Sequence, residues 1–136
     1  MMLFLLDKSA HELARRDPDA RRTFETMAVT GMLATCAIVE LEILYSARNP
    51  TDHRRLKTYL RAQCVWLETG DDTLSAAVDL QEAMLAAGMH RKPIPDLIIA
   101  SVARAQDAVL VHHDRDFDDI AAVTPGLRSR WIVPPR

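Results

Sequence analysis

Residues 95–121 decide the fold, and they read PDLIIASVARAQDAVLVHHDRDFDDIA. A helix can begin at Pro95 or Asp96, where proline and an acidic residue suit a first turn. The apolar residues 108–111 (AVLV) then predict a strand that is buried on both faces. Asp114 can begin a second helix. A helix, a buried strand and a helix in succession are typical of a parallel sheet covered by helices.

The same alternation continues through the rest of the chain. Short apolar runs predict four more strands, at residues 2–6, 33–36, 64–67 and 131–133. Helical patterns fill the segments between them, at residues 9–17, 19–31, 37–48, 51–63 and 71–87. Ser9 can cap the first of these helices, and Asp19 the second. We therefore expect an α/β fold with a central parallel sheet of about five strands and helices on both faces, in a single domain over residues 1–136.

Composition excludes several common kinds of site. The chain has 136 residues, a net charge of −2 and only four glycines. Because no two glycines lie close together, the sequence lacks the Gly-rich dinucleotide fingerprint, the P-loop and the Gly-x-Ser-x-Gly nucleophile elbow. Cys36 and Cys64 are too far apart for a CxxC pair. The short apolar N-terminus has no basic region before it, so we expect a cytoplasmic protein without a signal peptide or membrane span.

Four acidic residues follow or flank the predicted strands. Asp7 comes directly after the first strand, Asp114 follows the fourth, Asp96 begins the helix that leads into the fourth, and Glu42 lies in the helix after the second. In an open α/β sheet, ligands bind beyond the carboxyl ends of the strands. Asp96 and Asp114 also have a structural explanation, because each can cap a helix. Asp7 is harder to explain in this way when Ser9 can cap the first helix.

Glu42 has the less ordinary surroundings of two neighbouring glutamates. Its helical neighbours are mostly apolar, namely Ile38, Val39, Tyr45 and Ser46. An acidic side chain on such a face needs a partner or a metal ion. Glu40 lies about 200° around the same helix, so the two glutamates cannot face one site.

If the four carboxylates converge, they need a cation. At about 5 Å and an effective dielectric constant near 20, each like-charge pair costs roughly 3 kcal/mol, so six pairs would cost about 20 kcal/mol. This exceeds the net stability of a small domain. Hard oxygen ligands favour Mg²⁺ or Mn²⁺. Such an ion activates water and neutralises phosphate, which points to phosphodiester hydrolysis.

Four segments carry a family resemblance. In order, they are LFLLDKSA (3–10), VELEILYSA (39–47), PDLIIASVA (95–103) and VLVHHDRDFDDIA (109–121). Over nearly the whole chain, they resemble a PIN-domain ribonuclease of the VapC toxin type. The resemblance implies a PIN-like fold and a catalytic, metal-binding set of acids, with one supplementary metal ligand at Asp116. The catalytic set falls on Asp7, Glu42, Asp96 and Asp114.

The resemblance also implies an activity and partners. VapC proteins are Mg²⁺-dependent endoribonucleases that use a metal-activated water, and here Mn²⁺ is a second candidate ion. The implied partners are an RNA substrate (tRNA or other structured RNA), a VapB-type antitoxin of a type II toxin–antitoxin system, and a second copy of the chain. Two alternatives stay open at this point: a phosphorylation-receiver-like regulator, and an inactive PIN module that acts by binding only. The first would need an acidic pair after the first strand, where Lys8 and Ser9 follow Asp7.

Four positions depart from the family pattern or supplement it. Lys8 stands where the family usually has Thr or Ser, and it either contacts the substrate phosphate or points to solvent. Ser9 keeps a hydroxyl close to Asp7 and can orient that carboxylate. His112 and His113 stand before Asp114, where the family often has Thr, and they either donate hydrogen bonds in the site or pack at the strand end.

Basic side chains suggest where RNA binds, although a solvated helix face explains many of them equally well. The candidates are Lys8, Arg48, Arg54, Arg55, Arg91 and Lys92. The N-terminal helices also carry apolar residues that suit either the core or an antitoxin contact. These residues are Leu13, Phe24, Met27 and Val29.

Overall fold

A computed structural model describes residues 1–89 and 91–135. Five parallel strands form one sheet in the order β3-β2-β1-β4-β5. The strands are β1 (Leu3–Leu6), β2 (Met32–Thr35), β3 (Val65–Trp66), β4 (Val109–His112) and β5 (Arg128–Trp131). The helices are α1 (Lys8–Arg16), α2 (Pro18–Thr30), α3 (Ala37–Leu44), α4 (Pro50–Gln63), α5 (Asp71–Ala86), α6 (Ile94–Ala105) and α7 (Asp116–Ala122). The predicted α/β fold with a five-stranded parallel sheet is confirmed.

Helices cover both faces of the sheet, as the alternation predicts. On one face, Leu5 and Leu110 pack against apolar side chains of α3 to α7, including Phe117 of α7. On the other face, Leu6 and Val111 pack against α1 and α2. Because β1 and β4 are neighbours in the middle of the sheet, side chains on both of their faces are buried, which accounts for their continuous apolar runs. None of the helices in the described residues combines the length and apolarity needed to cross a membrane.

The helix starts near Asp7, Asp17 and Asp114 differ from the sequence predictions. Asp7, not Ser9, caps α1, because its carboxylate accepts the backbone N–H of Ala10. Asp17, not Asp19, caps α2, and Pro18 then takes the first helical position, where its missing N–H costs nothing. The last helix begins at Asp116 rather than at Asp114, so Asp114 lies in the loop after β4.

The ends of two strands and of one helix also shift, and α3 ends at Leu44 instead of at residue 48. The fifth strand covers Arg128–Trp131 instead of residues 131–133, because β5 is an edge strand whose residues alternate between exposed and half-buried. The apolar residues Ile132 and Val133 are buried just after it. The third strand has only two residues. Gly88 follows α5 with a φ of +76°, which is the left-handed conformation that glycine favours after a helix.

Candidate active site

The central strands β1 and β4 are parallel neighbours, so both end at the same edge of the sheet. Beyond this edge, the Asp7 backbone N–H donates to the Val111 carbonyl at 3.1 Å, so the two strand ends are held side by side. α3 follows β2 and carries Glu42, and Asp96 lies in the first turn of α6. The candidate site therefore lies beyond the carboxyl ends of the parallel strands, where ligands bind in open α/β sheets.

Asp7 caps α1 and lies close enough to Asp96 and Asp114 for their charges to interact. Its side chain is buried, and Oδ1 accepts hydrogen bonds from the Ser9 hydroxyl at 2.7 Å and from the Ala10 N–H at 3.1 Å. Burial raises the pKa of Asp7 to about 6, although these hydrogen bonds act in the opposite direction. Capping and a position near the other acids are alternatives in the sequence, whereas the Asp7 carboxylate combines them in the structure.

Ser9 joins the two strand ends. Its hydroxyl donates to Asp7 and accepts the backbone N–H of His113 at 2.9 Å, across 104 positions in the chain. The hydroxyl thus fixes the Asp7 carboxylate relative to the loop after β4. The Ser9 hydroxyl, which the sequence predicted as a supporting group, therefore lies next to Asp7.

Asp96, Asp114 and Asp116 form the tightest acidic group among the described residues. One carboxylate oxygen from each lies within 4.8 Å of the others. The backbone N–H of Asp116 donates to Asp114 Oδ1 at 2.9 Å, so the two side chains have a fixed relation. Asp114 reaches the group because it lies in the loop, two residues before the start of the helix. We call these three residues the aspartate trio.

The trio is electrostatically strained in the absence of a cation. Burial is the largest cause that raises the pKa of Asp96, to about 7, and the charges of Asp114, Asp7, Glu42 and Asp116 raise it further. Asp96 is buried, while Asp114 and Asp116 are half-buried and open to solvent on one side. These are all hard oxygen donors, so the residues present suit a divalent ion such as Mg²⁺ or Mn²⁺.

The structure separates the two neighbouring glutamates. Glu42 is half-buried and lies outside the trio, but its charge contributes to the raised pKa of Asp96. Burial raises the pKa of Glu42 itself, whereas the nearby Lys8 lowers it. Glu40 is buried elsewhere and accepts three hydrogen bonds of 3.1–3.2 Å from Arg61, whose guanidinium lies 4.7 Å from the centre of the Trp66 ring. Glu40 is therefore part of a structural ion pair.

His112 and His113 pack at the end of β4. The His112 ring is fully buried, and its centre lies 5.1 Å from the ring centres of Phe117 and Trp131. Its Nδ1 accepts the Asp114 backbone N–H at 3.2 Å, so this nitrogen helps to set the loop. His113 packs edge-on against Trp131, with ring centres 5.2 Å apart. Of the two interpretations weighed above, packing fits His112 better.

Trp131 is a residue that the sequence analysis missed. Its indole N–H donates to Asp118 at 3.1 Å, and its ring supports both histidines that precede Asp114. The apolar run WIV suggested only a buried strand there. The register of β5, in which Trp131 pairs with His112, is what places the indole at the site.

The predicted RNA-binding residues lie in different surroundings. Lys8 lies at the start of α1, 3.7 Å from Glu12, and borders a shallow cavity with Glu42 and Pro95. Lys92 is directed inward and forms ion pairs with Asp116 and Asp119, which raise the pKa of its ammonium group. The remaining candidates are exposed, although Arg48 and Arg55 flank Asp52; they are Arg48, Arg54, Arg55 and Arg91.

A family model for the PIN domain matches residues 5–123. The chain belongs to the PIN-domain family. This PIN domain is 42% identical over 133 residues to a protein of Mycobacterium tuberculosis named ribonuclease VapC21, with 97% of this chain and 95% of that protein covered. It is 39% identical over 131 residues to ribonuclease VapC51 of the same organism, with 96% and 93% covered. The family resemblance drawn from the sequence is confirmed, and the receiver-like alternative is wrong.

Solved structures show the same fold. The PIN domain matches a chain in the VapBC2 complex of Rickettsia felis bound to a promoter DNA fragment, with a TM-score of 0.77, 20% identity and coverage of 96% and 98% of the two chains. It matches a chain of VapBC-1 from nontypeable Haemophilus influenzae with a TM-score of 0.77, 19% identity and the same coverage. At this level of identity, the match concerns the arrangement of strands and helices.

Proposed function

We propose that this PIN domain is a Mg²⁺-dependent endoribonuclease and the toxin of a VapBC toxin–antitoxin system. The observation that carries the proposal is the aspartate trio, whose oxygens lie within 4.8 Å of one another at the carboxyl edge of the sheet. Relatives that are 39–42% identical over nearly the full length are named VapC ribonucleases, which supports the same activity here. The proposal covers the whole chain, 1–136, acting in the cytoplasm.

The acidic residues of the site have two proposed roles, metal ligation and support of the metal ligands. Asp96, Asp114 and Asp116 would hold the divalent ion, and Mn²⁺ would suit the same oxygens. When bound, such an ion lowers the pKa of a coordinated water and neutralises charge on a phosphate. Asp7 and Glu42 lie around the trio and complete its negative charge. With a pKa of about 6, Asp7 is suited to accept a proton near neutral pH.

A groove between α1, α2 and α4 offers a surface for the antitoxin. It has a volume of about 650 Å³, is lined by apolar side chains such as Phe24 and Leu56, and has Arg15 and Arg21 at its border. This surface would suit an apolar segment that also carries acidic residues. Of the other predicted contacts, Met27 is buried in the core, Leu13 is half-buried, and Val29 is 83% exposed.

A homodimer is also part of the proposal. Large apolar side chains are exposed on α3 and directly after it, on α5 and at the start of α6; they are Leu41, Tyr45, Val78 and Ile94. Leu41 and Tyr45 line a shallow cavity with Glu42, and Val78 and Ile94 line a second one. Clustered exposed apolar side chains of this kind mark protein–protein contacts more often than free surface. Light scattering of the purified protein, and of Val78→Glu, tests this part.

RNA cleavage with and without metal tests the activity. The wild-type protein should cleave RNA in Mg²⁺ and lose this activity in EDTA, and Asp96→Asn should abolish cleavage while the protein stays folded. Asp79→Asn is the matched control, because it removes an exposed carboxylate of α5 and should keep activity. Cleavage that persists in EDTA would contradict the metal dependence. RNA binding without cleavage under all conditions would favour an inactive module instead.

A further inference from the structure

Lys92 occupies a position that the proposed nuclease mechanism does not use. Its Nζ lies 3.0 Å from Asp116 Oδ1 and 2.6 Å from Asp119 Oδ2, and only 17% of the side chain is exposed. Lys92 precedes α6, so the same segment that delivers Asp96 to the trio also delivers an ammonium group. The positively charged ammonium group of Lys92 thus directly contacts Asp116, a member of the trio.

We propose that Lys92 is a built-in counter-cation, which occupies Asp116 in the metal-free protein and moves onto Asp119 alone when a divalent ion binds. The inference rests on the proposed function, because it takes the aspartate trio as the metal site. It makes Lys92 the residue that sets metal affinity, instead of the RNA contact that the sequence suggested.

Two features of the contact support displacement. First, an ammonium on Asp116 and a divalent ion at the trio are like charges at close range, and they repel each other. Second, Asp119 lies three residues further along α7, accepts the shorter of the two hydrogen bonds and is 45% exposed at its side chain. Lys92 can therefore release Asp116 and keep one partner at the edge of the site.

The counter-cation also explains how the trio is tolerated without metal. Asp114 and Asp116 are fixed to each other by a backbone hydrogen bond, and Asp96 is buried beside them. Their mutual repulsion destabilises the folded protein, and an ammonium in contact with one of them reduces it. The same contact must lower the affinity of the site for a divalent ion.

Side-chain NMR of the wild-type protein follows the ammonium directly. The chain has only three lysines, at positions 8, 57 and 92, so ¹⁵N-lysine labelling gives a small set of ammonium signals, assigned with one Lys→Arg variant each. On Mg²⁺ addition, the Lys92 signal should shift in step with metal binding, and the signal of Lys57, on the exposed face of α4, should not. An unchanged Lys92 signal at saturating Mg²⁺ would overturn the inference, because the ammonium would then still be on Asp116.

Mn²⁺ binding by calorimetry gives a second readout, independent of catalysis. Lys92→Met should bind Mn²⁺ about tenfold more tightly than the wild type, because one like charge is removed from the site. Lys57→Met makes the same change in net charge and should leave the affinity unchanged. Unchanged or weaker binding by Lys92→Met would overturn the inference while leaving the proposed function intact. A wild-type protein that binds no Mn²⁺ would contradict the proposed function, and this inference with it.

Discussion

The burial of the Asp96 carboxyl makes the stability of the folded protein depend on pH. Its pKa is about 7 in the folded protein, against an ordinary value of 3.8, so the folded state holds a proton that the unfolded state has lost between these values. The contribution of Asp96 to stability is therefore present below pH 4 and is lost as the pH rises towards 7. Asp7, with a pKa of about 6, acts in the same direction over a narrower range.

Asp96→Asn should remove the contribution of Asp96 to this pH dependence. In EDTA at pH 7.5, we expect the variant to be more stable than the wild type by about 1–3 kcal/mol, and the difference should shrink as the pH falls towards 4. Denaturant unfolding at several pH values measures it. His11, whose pKa burial lowers to about 4, contributes the opposite slope between pH 4 and 6.5 in both proteins and so cancels in the comparison. A variant less stable than the wild type at pH 7.5 would contradict the strain assigned to Asp96.

Ser9 offers a residue-scale test of how the site is held. Ser9→Ala removes the donor to Asp7 and leaves the half-buried N–H of His113 without that acceptor. We expect a loss of about 1–3 kcal/mol in the free energy of unfolding, and a weaker affinity for Mn²⁺. Ser75→Ala on the exposed side of α5 is the matched control and should change neither quantity. Normal Mn²⁺ affinity in Ser9→Ala would limit Ser9 to a structural role.

At the scale of elements, α3 carries two acids with different tasks. Glu40 ties α3 to α4 through Arg61, and Glu42 lies near the aspartate trio. Glu40→Gln should lower the free energy of unfolding by about 2 kcal/mol, because it breaks a buried pair whose partner is half-exposed. Glu42→Gln should change stability little and reduce RNA cleavage strongly. The reverse pattern, measured by unfolding and cleavage assays, would show that Glu40 is the site residue.

The join between α2 and β2 gives a second element-scale test. A Cβ on Gly31 would lie 2.5 Å from the Met2 carbonyl oxygen and 2.6 Å from the Phe4 ring, and the carbonyl cannot move without shifting β1. Gly31→Ala should therefore destabilise the protein by about 1–3 kcal/mol. Gly70→Ala, where a Cβ would meet nothing within 4 Å, is the control. Equal melting temperatures for the two variants would contradict this packing argument.

At the scale of the whole molecule, the sheet order explains how distant acids meet. Because β1 lies between β2 and β4, the carboxyl ends of three strands bring residues 7, 42 and 114 to one edge. Apolar runs and their alternation with helices were enough to predict the parallel sheet, but not the order of its strands, since strands buried on both faces have a distinct pattern. The common location of the acids near the strand ends then follows from the sheet topology.

Other features depend on long-range contacts that local patterns do not record. The partners of Lys92 lie 24 and 27 positions away, and the partner of Glu40 lies 21 positions away. Trp131 was missed as a site residue because the apolar run 131–133 indicated only a buried strand, whereas its pairing with His112 joins two distant strands. Asp7 was assigned the wrong local role because a strand-end carboxylate can cap the following helix and still face the site.

In the proposed function, the aspartate trio holds the divalent ion on which RNA cleavage depends. Crystals soaked in Mn²⁺, with data collected at the manganese absorption edge, test it most directly. We predict an anomalous difference peak within about 2.0–2.4 Å of a carboxylate oxygen of at least two members of the trio, and its disappearance in crystals of Asp114→Asn soaked at the same concentration. A peak elsewhere, or none at the trio at saturating Mn²⁺, would contradict the account.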